Sequence, residues 1–463
     1  IGSTAHTVFR LPGLQAGASS GHVMCYNGTS LVLAAASSGG ASDIDGLSDG
    51  KSLDVSSLGL GTGALANDDG STNSNTAVGR CALNSLTTGS SNSAFGDQAL
   101  KVNNGNNNNA FGFGALYANT SGEYGHAFGR YALYSNTTGG YNIAMGHQAM
   151  CSNTTGGYGV AIGHKALQCN TCSHENTVIG YGSTRNNTIG SNNTALGSRT
   201  LFSNTTGSFN TAIGNCALYY QTTGKCNVAV GSSALHCLTV AQHNVAIGHH
   251  ASHKNQSGNY NVSVGSWSQC KNISGQQNTS LGYSSIRQLN SGVKNVGIGS
   301  YGLYSTTDGD ENVNVGAYGM YSNTTGNRNS ALGMRALCSN TTSSDNTAIG
   351  YHALRVNTVS FNTAVGSRAL YNNTTGCRNL AVGYRALYTN NIGSCNLAVG
   401  DCSMEKVTTG VHNVAIGWKS NRYNITGSCN TAVGSNSAYG TQAGGNNNII
   451  IGYNANPSSY NVS

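Results

Sequence analysis

Residues 362–395 read NTAVGSRALYNNTTGCR followed by NLAVGYRALYTNNIGSC, two versions of one seventeen-residue unit. The first five positions of the unit are Asn, any residue, Ala, an apolar residue and Gly, and they recur 23 times between residues 75 and 452. Of the 22 intervals between copies, 19 are seventeen residues long. Position 5 is Gly in all 23 copies, and position 4 is always apolar. Such a strict period predicts a repeat architecture in which each copy is one structural unit.

The composition limits the classes of protein to which the chain can belong. The 463 residues include 65 Gly and only 2 Pro, and 8% of them are charged, which taken alone is typical of a polar low-complexity chain. The net charge of +7 is spread over single Lys and Arg residues, which disfavours a nucleic-acid partner and leaves weak attraction to acidic surface glycans open. Every apolar stretch is far shorter than the ~20 residues of a membrane helix, so membrane insertion is not expected.

A period of seventeen residues suits one coil of an all-β parallel solenoid. We expect two short strands per coil, joined by tight turns. Positions 3 and 4 point to opposite faces of the first strand because side chains alternate along it. Gly at position 5 allows a backbone conformation that a Cβ would penalise. The second apolar site is position 9, usually Leu, and Asn-Thr-Thr-Gly at positions 12 to 15 has turn chemistry. Stacked coils place Asn over Asn and form amide ladders.

Each coil offers about two large apolar side chains, a thin core that favours oligomerisation. The recurrent Ala at position 3 is small enough for another backbone to approach closely. We therefore expect the Ala row to be a contact between chains. In the alternative, the solenoid is a single chain and its Ala row packs against its own second strand.

The repeat resembles that of YadA-like heads in trimeric autotransporter adhesins, on the evidence of NVAIG at 244–248 and NTAVG at 75–79. That resemblance implies a left-handed parallel β-roll and a homotrimer, with three chains intertwined or side by side. The longer form NTAVGxxALxxNTTGxx resembles repeats of phage and large-virus tail fibres. The ends of the chain are also similar to such fibres. GHVMCYNGTSLVLAAAS at 21–37 is similar to the segment leading into the repeats, and IGYNANPSSYNVS at 451–463 to the junction before a self-cleaving chaperone domain.

The resemblance implies three parts: an attachment segment at 1–56, a repeat rod at 57–447, and the last coil with its junction at 448–463. The expected function is a structural fibre that projects from a virion and contacts a host surface through a glycan or a protein. The alternative is a cellular surface adhesin or extracellular filament with the same roll. Either one places the protein outside the cell, at the surface of a virion or of a cell.

Three kinds of residue are candidates for chemistry or contact. Exposed aromatic residues at positions 6 and 10 are candidates for surface contact: Tyr371, Tyr388 and Trp418. Cysteines spaced by one repeat plus one residue are candidates for disulfides between coils: Cys377 with Cys395, and Cys151 with Cys169. Glycosylation sequons recur at position 12, unless Asn-Thr-Thr-Gly is only a good turn: Asn119, Asn136, Asn153, Asn204, Asn255, Asn272, Asn323, Asn340, Asn373 and Asn424. No metal ligands, cofactor motif or catalytic set stands out, so we expect a non-enzyme.

Overall fold

The computed structural model describes residues 22–26, 31–35, 50–52, 56–69, 73–440 and 445–456. Most of the expected attachment segment, and the junction from residue 457 onward, lie outside these residues. The strands are β1 (His22–Tyr26), β2 (Leu31–Ala35), β3 (Gly50–Ser52), β4 (Leu58–Leu60), β5 (Thr76–Val78), β6 (Ser93–Phe95), β7 (Asn109–Phe111), β8 (His126–Phe128), β9 (Ile143–Met145), β10 (Val160–Ile162), β11 (Thr177–Ile179), β12 (Thr194–Leu196), β13 (Thr211–Ile213), β14 (Val228–Val230), β15 (Val245–Ile247), β16 (Val262–Val264), β17 (Thr279–Leu281), β18 (Val296–Ile298), β19 (Val313–Val315), β20 (Ser330–Leu332), β21 (Thr347–Ile349), β22 (Thr363–Val365), β23 (Leu380–Val382), β24 (Leu397–Val399), β25 (Val414–Ile416), β26 (Thr431–Val433) and β27 (Ile449–Ile451).

The chain is a parallel β-solenoid, as the repeat predicts. From β4 onward each strand pairs in parallel with the next, and equivalent repeat positions lie opposite each other, as in Ala364 with Ala381. Strands β3 and β4 pair antiparallel at the start of the stack, and β1 and β2 form a separate antiparallel pair. One copy of the repeat is therefore one rung, and 23 rungs at ~4.8 Å give a rod of about 110 Å. Within the described ranges there is no helix, and hence none that could span a membrane.

Each rung carries one three-residue strand, at positions 2 to 4, so the expectation of two strands per rung is wrong. Positions 7 and 9 have left-handed backbones, for example Arg368 with φ 59° and Leu370 with φ 46°. A strand needs extended backbone, so these residues form turns instead. Hydrogen bonding between rungs nevertheless continues, because the Leu370 N–H donates to the Ala386 carbonyl at 2.9 Å.

The Ala row faces the inside of its own coil, so the expected contact between chains at this row is wrong. Ala364 and Ala381 are fully buried within the single chain, as is Leu370 at position 9. Where Ser replaces the apolar residues, position 3 touches position 9 of the preceding rung: the Oγ atoms of Ser263 and Ser252 are 2.7 Å apart. Because side chains alternate along a strand, position 4 points outward.

Gly at position 5 is required by both conformation and space. All 23 copies have φ between 118° and 144°, a region that side chains rarely adopt. A Cβ on Gly366 would lie 2.5 Å from the Gly383 carbonyl oxygen of the next rung. This confirms the role that the sequence predicts for this residue.

Asn side chains form ladders along the rod, which confirms another prediction. The Asn362 Oδ1 at position 1 accepts from the Asn379 N–H at 3.0 Å, and Asn379 Nδ2 donates to the Gly393 carbonyl at 2.8 Å. Equivalent bonds recur along the stack. Each Asn thereby pairs buried backbone groups that would otherwise lack a partner.

The apolar interior has one polar section. One core cluster runs to Ala251, and the next begins at Ile286. Between them Ser263, Gln269 and Ser280 occupy the positions that Ala and Leu fill elsewhere, and all three are fully buried. The buried Gln269 Oε1 has no hydrogen-bond partner. We expect this section to be less stable than rungs with an Ala and Leu interior, because an unpaired buried oxygen costs free energy of folding.

Candidate functional surfaces

The outward side chains of the strands, at positions 2 and 4 of every rung, form a surface that we call the sheet face, in which position 4 is apolar in all 23 rungs and position 2 in 11 of them. Phe95, Phe111 and Phe128 stack along it with ring centroids 4.8 and 4.9 Å apart. Each remains 36–37% exposed although it is apolar. Further along, the same position holds Leu332 and Ile349, which are also exposed. The sheet face therefore presents aliphatic and aromatic groups to solvent in the single chain.

The size of the sheet face is unusual for a monomer. Its strands are three residues wide, about 10 Å, and the stack is about 110 Å long, which gives roughly 1,000 Å². Of its 46 outward positions 34 are apolar, so its apolar part covers roughly 700 Å². The largest apolar patch on a typical soluble monomer covers about 300–600 Å². A stable interface buries about 800 Å² on each partner. The sheet face thus has the dimensions of a protein interface.

A second surface consists of positions 6, 7 and 10, where aromatic and cationic side chains alternate. We call it the aromatic face. At position 10, Tyr304 and Tyr321 stack at 5.1 Å and Tyr371 and Tyr388 stack at 5.2 Å. Guanidinium groups lie over such rings, as Arg385 does over Tyr388 at 4.8 Å. These stacked and cation–π contacts join successive rungs and stiffen the rod.

The candidate contact residues differ in how much of each ring is free. Tyr371 and Tyr388 are half-buried and stack on each other. Tyr371 also contacts Arg355 and His352, and Tyr388 also contacts Arg385. Their ring faces are therefore occupied within the chain, which leaves mainly ring edges and hydroxyls for a partner. Trp418 is 47% exposed, and Lys419 Nζ lies 3.9 Å from its ring centroid. Of the three, Trp418 offers the largest free ring surface.

The sequon asparagines lie inside the rungs. All ten are 0–3% exposed, and their Nδ2 atoms donate to carbonyl groups of their own turn. Asn136 Nδ2, for example, donates to Asn119 Oδ1 at 2.8 Å and to the Gly139 carbonyl at 2.9 Å. A glycan would replace one of these N–H groups and would need an exit to solvent. The folded rung does not provide one, so the geometry favours the simple turn over the glycan.

The candidate disulfide cysteines are free thiols in this structure. Cys151 is at position 10 and Cys169 at position 11, while Cys377 is at position 16 and Cys395 at position 17. The members of each pair lie on neighbouring rungs, and the Cys395 N–H donates to the Cys377 carbonyl at 3.0 Å. Burial raises the pKa of the Cys151 thiol, and Cys169 raises it further, which disfavours the reactive thiolate. Their pairing under oxidising conditions remains a prediction.

Two clusters of ionisable groups lie on the aromatic face, in addition to the candidate residues above. Glu405 is 2% exposed on its side chain and pairs with Arg422 at 2.6 Å and Arg385 at 3.4 Å. Beside the polar section of the interior, His250 and His253 stack at 4.6 Å. The pKa of His253 is lowered to about 4, first by burial and then by the neighbouring His250 and His236. The sequence shows these residues, but only the coil geometry brings positions 7 and 10 together.

Comparisons with known proteins give no relative. No family model matches the chain, and no curated protein and no solved structure matches it either. Among the residues described above, no group of three or more His, Cys, Asp or Glu is arranged to hold a metal ion.

Proposed function

We propose that the chain is the shaft of an extracellular homotrimeric fibre, which projects from a virion and contacts a host surface. The observation that carries the proposal is the uninterrupted sheet face on a rod of about 110 Å. A long apolar strip on a narrow coil is unfavourable in water, and burial against copies of the same chain removes it from solvent along its whole length.

Copies of the same chain are the partner that fits this surface best. Every rung presents an apolar residue at position 4 at the same spacing, so a second copy in register matches this row from end to end. An interface that pairs apolar rows in this way resembles a domain core cut in half, as obligate oligomer interfaces do. The number three comes from the resemblance to YadA-like heads, in which three rolls share one axis.

A rod of this kind serves as a spacer and as a scaffold for contacts. Its rungs are fixed by Gly, Ala, Leu and Asn, whereas positions 6, 7 and 10 vary in chemistry from rung to rung. Contact with a host glycan or protein is therefore assigned to the aromatic face, with Trp418 as its most exposed ring among the candidates.

The assembly is tested by light scattering on the parent chain and on Leu332→Glu/Ile349→Glu. Both substituted residues lie on the sheet face and are 49% and 39% exposed in the single chain. The proposal predicts three chains per particle in the parent and dissociation or a large loss of assembly in the variant, because carboxylates would be buried against carboxylates.

The matched control is Ile189→Glu/Ile392→Glu. These residues are similarly exposed, at 52% and 48%, but they lie in turns at position 14. The control should keep three chains per particle. A monomeric parent, or equal loss of assembly in both double variants, would contradict the proposed interface.

A further inference from the structure

Three arginines and one histidine crowd together on the aromatic face of three successive rungs. Arg335, His352 and Arg368 occupy position 7 in the rungs whose strands are β20, β21 and β22, and these strands are paired in order. Arg355 is at position 10 of the same rung as His352. Rungs are about 4.8 Å apart, so the four side chains start within about 10 Å of one another along the rod.

The positive charge of this cluster is not neutralised within the described part of the chain. Arg335, Arg355 and Arg368 make no ion pair there, and their guanidinium carbons lie over tyrosine rings at 5.7, 5.4 and 6.0 Å. Other arginines of the rod do have carboxylate partners, as Arg328 has Asp345 at 2.8 Å. The cluster therefore lacks a counter-charge that comparable arginines possess.

His352 lies beneath the arginines with an unused hydrogen-bonding atom. Its side chain is 6% exposed and stacks on Tyr351 with ring centroids 3.9 Å apart. Its Nε2 atom is buried without a hydrogen-bond partner. Buried polar atoms are normally paired, so this nitrogen indicates a missing partner. Burial lowers the pKa of His352, and Arg355, Arg335 and Arg368 lower it further, as expected where cations face the ring without an anion.

We propose that Arg335, His352, Arg355 and Arg368 form a binding site for a sulfate or phosphate group. Guanidinium groups present forked N–H donors that match the oxygens of such a group. A doubly charged oxyanion would supply the missing counter-charge and an acceptor for protonated His352. Tyr351, at 42% exposure, and the Tyr371 hydroxyl, which already accepts from Arg355, border the cluster. The site lies outside the sheet face and therefore does not depend on assembly.

The site is tested by isothermal titration of the intact chain at constant ionic strength. The probes are sodium sulfate, sodium phosphate and a sulfated oligosaccharide. Arg355→Gln/Arg368→Gln should weaken binding of every probe about tenfold or more, since each charge-assisted contact is strong. If the oligosaccharide still has a higher affinity than free sulfate in the variant, that difference comes from sugar contacts elsewhere. Absence of binding by all three probes would overturn the site.

The control for bulk charge is Arg199→Gln, a position 7 arginine that also lies over a tyrosine, Tyr181, at 5.9 Å. It should change the affinity for sulfate less than about twofold, because a single distant charge is screened by salt. Equal weakening in Arg199→Gln and Arg368→Gln, compared as single variants, would overturn the site in favour of general electrostatic attraction.

Protonation of His352 gives a second readout, the pH dependence of sulfate affinity, which general electrostatic attraction would not change. Bound sulfate favours the protonated ring of His352, so sulfate affinity should rise as the pH falls from 8 to 6. The charged and titratable groups that face the ring are Arg335, Arg355, Arg368, Tyr351 and Tyr371. Burial raises the pKa of the nearby Cys338 thiol, away from this pH range. In His352→Phe, which preserves the stacking, this rise should disappear. A rise that persists in this variant would exclude His352 as a ligand.

Discussion

Replacement of Asn136 by Ala tests whether position 12 carries a structural amide or a glycan. The Asn136 side chain takes part in three hydrogen bonds between buried partners. Its Nδ2 donates to Asn119 Oδ1 at 2.8 Å and to the Gly139 carbonyl at 2.9 Å, and its Oδ1 accepts from Asn153 Nδ2 at 2.7 Å. Alanine leaves two acceptors and one N–H without these partners. At roughly 1–3 kcal/mol for each buried unpaired group, with partial relaxation, we expect a local loss of about 3–6 kcal/mol.

Hydrogen exchange followed by mass spectrometry is the suitable assay, because a long stack of rungs opens locally and one melting temperature does not describe it. A loss of that size should accelerate amide exchange in the rungs of β7, β8 and β9 by about 10² to 10⁴. Distant rungs, such as those of β24 and β25, should exchange as in the parent.

The matched control is Thr138→Ala, which removes the same sequon without touching the Asn136 side chain. Thr138 is exposed, and its backbone N–H, which donates to the Thr154 carbonyl at 3.1 Å, is retained. The control should exchange within about twofold of the parent, as exposed substitutions usually do. If the two variants behaved alike, or if Asn136→Ala exchanged like the parent, the structural role of the amide would be refuted.

Four further predictions follow from particular contacts. Gly366→Ala should destabilise its rung by at least about 2 kcal/mol, since the new Cβ would meet the Gly383 backbone. Amide exchange in β22 and β23 should therefore be faster than in the parent. Unchanged exchange would contradict the required φ of Gly366. Gln269→Leu should stabilise its section by about 1–3 kcal/mol, because it removes an unpaired buried oxygen and restores the usual residue of position 9; faster exchange in β16 would contradict this. Because the pKa of His253 is lowered to about 4, the unfolded state binds more protons than the folded state between about pH 6.5 and 4. Stability should therefore fall by about 1–2 kcal/mol on acidification through that window, and His253→Tyr should reduce this loss in urea titrations. An identical pH profile in the variant would exclude His253 as its cause. Trp418→Ala should weaken cell or glycan binding more than Tyr388→Ala, since the Tyr388 ring is stacked; undiminished binding in both would leave this stretch as a spacer.

The sequence predicts the architecture well because each rung obeys the same local rules. The Gly at position 5, the buried Leu at position 9 and the Asn ladders all follow from turn chemistry, burial and stacking, and the structure confirms them. The predicted count of strands per rung is wrong, since the left-handed residues at positions 7 and 9 carry ordinary side chains and give no sequence signal. The path of the backbone within a rung is therefore harder to predict than the period of the repeat.

The direction of the strand side chains was predicted wrongly, although the sequence contains a signal for it. Position 3 is Ala in 17 of 23 copies, whereas position 4 varies among Val, Ile, Leu, Met and Phe. A confined interior demands one size, and an outward face tolerates several, so constancy of size indicates the inside. The cluster of arginines around His352 could not be predicted from the sequence, because the turn that makes positions 7 and 10 neighbours is known only from the structure.

Electron cryomicroscopy of the purified rod tests the central claim most directly, because it resolves both the rung and its assembly. The account predicts one layer of about 4.8 Å for each seventeen-residue repeat, Ala inside every coil, and the position 4 side chains facing a three-fold axis. Two stacked layers per repeat, or a reconstruction in which the position 4 side chains fill the coils and the Ala row faces the partner chains, would contradict it.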